Sequence, residues 1–139
     1  MRLRGPIIAL LLLAAPALAK PIENPVAIFS GLDKITGKIT SFTVPVGKTA
    51  RFGTLHVTPR TCHTRPVTEE PRTMAFVEVD EEQTGGGGKR GRKRIFTGWM
   101  NAESPGLNAV EHPVFDVWLT GCKGGKDPSA QPPEEPPQQ

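Results

Sequence analysis

Thr73-Met74-Ala75-Phe76-Val77-Glu78-Val79-Asp80 sets Ala75, Val77 and Val79 against Met74, Phe76 and Glu78. Successive side chains of an extended chain point to opposite faces, so this alternation predicts a β-strand. The same period recurs outward in both directions. Val26–Phe29 is a short apolar run ending at Gly31. Lys38–Val46 turns Ile39, Phe42, Val44 and Val46 inward, and Pro45 marks an edge or a strand end. Gly47-Lys48 is a turn, and Thr49–Phe52 opens a further strand. Thr54–Thr58 places Leu55 and Val57 on one face and runs on towards Cys62. Lys93–Met100 and Val114–Thr120, the latter with Phe115, Val117 and Leu119 alternating, complete the set. Period-two segments between Gly and Pro turns predict a mainly all-β domain, a small antiparallel barrel or sandwich. One short helical turn is expected at Pro105–Glu111. Trp99 and Trp118 are expected in the core, where a large ring buries much area in a chain without Tyr.

The chain of 139 residues is too short for several domains or for a large enzyme with a separate cofactor domain. Composition divides it into a segment at 1–19, a leader at 20–25, one β-rich domain at 26–123, and a Pro-rich tail at 124–139. The tail, Gly-Gly-Lys-Asp-Pro-Ser-Ala-Gln-Pro-Pro-Glu-Glu-Pro-Pro-Gln-Gln, has no large apolar side chain and is expected to be disordered. Residues 1–19 carry a basic start at Arg2 and Arg4, an apolar run from Ile7 to Leu13, and Ala17-Leu18-Ala19. That is the pattern of a secretory signal peptide cut after Ala19. The apolar run is short of the ~20 residues a spanning helix needs, so the mature chain is expected without a transmembrane span. Cleavage removes two of the basic residues behind the net charge of +3, and with them the argument for nucleic-acid binding.

Cys62 and Cys122 are the two cysteines of the chain. An even count in an exported protein predicts a disulfide between them. No C-x-x-C is present, so a redox pair is not expected. Cys62 and His63 are neighbours on a strand and point apart, and His56, His63 and His112 fit no standard ligand spacing. Neither a metal nor a cofactor is expected.

Two stretches invite a functional reading. Glu81–Arg94 places four glycines before Lys89, Arg90, Arg92, Lys93 and Arg94, an exposed hairpin loop with acids at its start and bases at its end. If Phe76–Asp80 pairs with Arg94–Gly98, the two signs face each other across the hairpin mouth. Those five bases are a candidate anion-binding loop for a phosphate group or an anionic membrane surface; a solvated hairpin tip is the plainer reading. The phosphate-loop motif fails, with Gln83 in place of its first Gly and Arg90 in place of Ser or Thr. The second stretch, Gly98–Trp118, holds Glu103, Ser104, Asn108, Glu111, His112 and Asp116. A small hydrolase would use His112 with Glu111 or Asp116, but no G-x-S-x-G is present and the residues crowd into one short segment. The plainer reading is a structured loop, with Ser104-Pro105-Gly106 as turn chemistry. Ser104, Asn108, Glu111, His112 and Asp116 are then candidates for an interaction loop, and no catalytic residue is assigned.

Several motifs form a set. They are Gly31-Leu32-Asp33-Lys34-Ile35-Thr36-Gly37, Phe52-Gly53-Thr54-Leu55, Phe76-Val77-Glu78-Val79-Asp80-Glu81, Gly98-Trp99-Met100 and Ser104-Pro105-Gly106-Leu107-Asn108. Glu111-His112-Pro113-Val114-Phe115-Asp116-Val117-Trp118 and Cys122 complete it. Across roughly 26–123 the chain resembles a family of secreted alphaproteobacterial proteins known as a domain of unknown function. The resemblance implies a periplasmic envelope protein of a Gram-negative bacterium and supplies no activity. The expected function is a non-catalytic binding or accessory domain that supports an envelope protein complex.

Overall fold

The computed structural model describes residues 20–85 and 90–130. The expected signal segment at 1–19, Lys89 and the last residues of the tail lie outside them. Nine strands are present among the described residues: β1 (Ile22–Glu23), β2 (Val26–Asp33), β3 (Lys38–Pro45), β4 (Ala50–Phe52), β5 (Leu55–Thr64), β6 (Met74–Thr84), β7 (Arg90–Asn101), β8 (Val110–Glu111) and β9 (Phe115–Lys123). They form two antiparallel sheets. One runs β1-β5-β6-β7 with β4 also on β5; the other runs β3-β2-β9-β8. The architecture is a sandwich, not a closed barrel.

The alternation at 73–80 sets the core. Ala75, Val77 and Val79 are fully buried and lie opposite Cys62, Pro59 and Val57 of β5. Ala27, Phe29, Val44, Val117 and Leu119 close over them from the other sheet. Burying a Val, Leu or Phe side chain contributes about 1.5–3 kcal/mol, so this layer dominates the stability. Three register shifts accommodate single extra residues: Arg60 in β5, Ile95 in β7 and Thr120 in β9. Pro59 stands at the first, where a ladder tolerates a residue without an N–H. The disulfide Cys62–Cys122 joins β5 to β9, and so one sheet to the other.

Several expectations are corrected. No helix forms at 105–111. Leu107 N–H bonds to Ser104 C=O in a turn, and Val110–Glu111 pairs with Val117 and Asp116 as β8. Too few residues lie between the turn and the strand for a stable helical nucleus. Trp99 is 43% exposed, and Trp118 is half-buried on the outer face of β9, between core-facing Val117 and Leu119. Ile39 is exposed, because it lies an odd number of residues from core-facing Phe42 and so points to the outer face, opposite Leu32. The hairpin at 81–94 is not a loop over most of its length: the β6–β7 ladder continues to Thr84 and Arg90. Ile22 and Glu23, read as leader, pair with Thr64 and His63. Gly125 N–H bonds to Asn24 Oδ1, and Asp127 accepts from Ser129 and from Val67 N–H, which hold its carboxyl below the usual aspartate value.

Candidate functional site

The interaction-loop residues do not converge on one pocket. Asn108 Nδ2 donates to the Trp99 carbonyl at 2.5 Å, and this ties the turn to β7. Ser104 sits in the same turn, and its N–H bonds to Asn101 C=O. Glu103 Oε2 accepts Thr73 N–H at 2.9 Å. Glu111 is exposed in β8.

His112 meets neither Glu111 nor Asp116. Its Nδ1 accepts the backbone N–H groups of Val114 and Phe115 at 3.1 and 3.2 Å. A nitrogen that accepts carries no proton, so Nε2 bears it and donates to Glu81 Oε1 at 2.6 Å. The pair crosses from the β8–β9 connection to the end of β6. With both ring nitrogens engaged, no lone pair remains to take a proton from a nucleophile. Asp116 faces Lys34 instead, with Nζ 2.8 Å from Oδ1 and 2.9 Å from the His112 carbonyl. That carboxylate oxygen is buried without another partner, so the lysine charge is what offsets its burial.

A second histidine–carboxylate pair lies on the other face of β6. His56 Nε2 is 2.8 Å from Glu82 Oε1, and Arg51 reaches the same carboxylate at 3.3 Å. The His56 hydrogen bond holds the Glu82 carboxyl below the usual glutamate value. Asp80 stands opposite Arg94, whose guanidinium reaches it at 2.5 Å and Glu78 at 3.4 Å. Arg60 also pairs with Glu78, at 2.9 Å. The acids and bases of the hairpin therefore do face each other, as the pairing of β6 with β7 required. Of the candidate anion-binding bases, Arg94 is spent on Asp80, Lys93 stands opposite Glu81, and Arg92 opposite Glu82. Arg90 pairs by its backbone with Thr84.

The outer face of this sheet changes character along its length. Beyond Glu78 come Phe76, Trp99, His63 and Met74. The Trp99 ring centroid lies 5.4 Å from Phe76, edge to face, and 6.1 Å from His63. A groove of about 190 Å³ opens beside it, lined by Pro21, His63, Thr64, Arg65, Arg72, Met74 and Trp99. Sequence reading missed this site, because Trp99 was assigned to the core. No group of His, Cys, Asp and Glu able to hold a metal occurs among the described residues, and none of their helices is long and apolar enough to cross a membrane.

A protein-family model described as "Uncharacterized protein conserved in bacteria (DUF2155)" matches residues 27–122. The motifs that carry the family resemblance all fall inside that span. No curated protein and no solved structure matches the chain.

Proposed function

We propose a function for a chain that belongs to the uncharacterised bacterial family DUF2155: a non-catalytic binding domain that supports an envelope protein complex in the periplasm of a Gram-negative bacterium. The observation that carries it is a contrast between two regions. The groups that resemble catalytic residues are consumed by structural bonds, His112 on Glu81 and Asp116 on Lys34. Trp99, by contrast, is displayed on the outer face of a sheet beside the 101–109 turn. Exposed tryptophans beside a groove are typical of binding surfaces. The Cys62–Cys122 bridge fits an oxidising compartment, and the signal-peptide pattern at 1–19 gives the route to it.

The test is a photo-crosslinking residue at Leu107, which is 83% exposed and next to Asn108. Illumination of intact cells is expected to yield a reproducible higher-mass adduct with an envelope protein. Recovery of the monomer alone overturns the proposal.

A further inference from the structure

We infer that the groove at Trp99 takes an extended protein segment in which an acidic residue lies beside an apolar side chain. This deepens the binding-domain reading and rests on it.

The outer face of the β5-β6-β7 sheet has two halves with different needs. In the charged half, Arg51, His56, Asp80, Glu82, Glu78, Arg94 and Arg60 satisfy one another. The aromatic half does not close on itself. Trp99 packs against Phe76 and His63 yet stays 43% exposed, and Met74 lines the groove beside it. Val67, two residues beyond Arg65, and Leu107, next to the Asn108 that holds the Trp99 carbonyl, are also exposed.

The lining specifies the ligand. At about 190 Å³ the groove is smaller than the ~300–1,000 Å³ of a small-molecule site, and it suits one or two side chains. No carboxylate or carboxamide lines it, and the side-chain acceptors it offers are those of His63 and Thr64. Two guanidinium groups do line it. Arg72 makes no ion pair among the described residues, while Arg65 is already engaged, in part with Glu69. Guanidinium groups bind carboxylates bidentately and stack on aromatic rings, so an acid beside an apolar anchor satisfies both features at once. A flat anionic membrane fits less well. Glu69, Glu70 and Glu103 line the adjoining recess with Arg65 and Arg72, and a charged plane would press on them. A single extended strand can lie over the arginines alone.

The experiment uses the full chain and a displayed random dodecapeptide library, with counter-selection on Trp99→Ala. Binding of the selected peptides is then read by Trp99 fluorescence in a Trp118→Phe background. The expected peptides carry Asp or Glu beside an apolar residue. Loss of one charge-assisted contact in Arg72→Gln is expected to weaken them about tenfold. Arg72 is exposed and makes no ion pair among the described residues, so this variant leaves the fold intact. Arg92→Gln is expected to change nothing. Selected peptides without acids, or equal binding to Trp99→Ala, overturn the inference. So does saturable Trp99-dependent binding to phosphatidylglycerol vesicles with no peptide enriched. If that happens while the Leu107 crosslinker still captures a partner, the binding-domain reading stands alone. Acidic peptides at Trp99 with no partner captured in cells overturn that reading and keep the groove's preference.

Discussion

Phe52 lies end-on against the backbone of Gly31, and a β-carbon at that position would stand 2.5 Å from the ring's Cζ. Gly53, at φ +58°, stands in the same relation to the Phe115 ring. These glycines make room for an aromatic series, Phe29–Phe42–Phe52–Phe115, with centroids 5.6 Å apart at each step. His112 stacks on its far end, 5.7 Å from Phe115. The Gly31 and Phe52-Gly53 motifs are therefore packing signals, and Glu81 and His112 join the same end of the sandwich.

Gly31→Ala tests this packing directly. Phe52 is held between Phe42 and Phe115, so its ring cannot swing aside without displacing both. Overpacking of this kind costs about 1–3 kcal/mol. A urea titration is expected to show that loss, with an unchanged slope. A midpoint equal to the parent's would show that the ring has room to move.

His112→Ala should behave as a structural lesion. It strips the acceptor from two backbone N–H groups and leaves Glu81 without its donor, all in a half-buried setting, at a total cost of about 1–3 kcal/mol. Glu81→Gln keeps an oxygen to accept the Nε2 proton, and its loss is expected to be smaller. Thermal melts of the two variants check the order. A reversed order would place the value of the pair in its charge.

The core was legible in the sequence because one rule decided it. Alternation at Ala75, Val77 and Val79 put three small apolar groups on one face, and no competing pattern existed. In β7 the rule was silent. Phe96 and Met100 stand on one face and Trp99 on the other, while Ile95, the extra residue, also packs against the core and shifts the phase. Only the partner strand decides, and Met100 against Ala75 wins the core. The histidine pairs were invisible for a different reason. His112 meets a glutamate 31 residues away and His56 one 26 residues away, contacts that no local pattern encodes. The disulfide was readable since two cysteines allow one intramolecular pairing.

Reducing that disulfide removes a constraint across 60 residues of sequence. The chain-entropy model values a loop of this length at about 4 kcal/mol. Cys62→Ala/Cys122→Ala is expected to lower the urea midpoint accordingly. The parent treated with reductant should match it. A parent indifferent to reductant would mean that the two sheets hold together without the bridge.

Trp99→Ala separates binding from folding. The ring is exposed on one side, and its contact with Phe76 contributes roughly 0.5–1.5 kcal/mol beyond the area it buries. The variant is expected to stay folded by near-native circular dichroism while the Leu107 crosslink in cells disappears. A crosslink that survives in this variant moves the interface off the aromatic half of the sheet.

Acid should unload the other half. Glu82 sits below the ordinary value of 4.5, first through its hydrogen bond with His56 and then, against the opposing effect of desolvation, through the charges of Arg51, His56 and Arg92. Asp80 and Arg94 flank it on the neighbouring strand positions. A carboxyl whose folded value is depressed adds stability that is complete above its unfolded value. That contribution fades as the pH falls through the folded one. The gap in unfolding midpoint between the parent and Glu82→Gln is therefore expected to close as the pH falls below the ordinary glutamate value. Salt should shrink the gap near neutrality as well, because the carboxylate and Arg51 are solvent-exposed and screened. A gap that widens in acid would reverse the sign and place the stabilising charge on another group of the row.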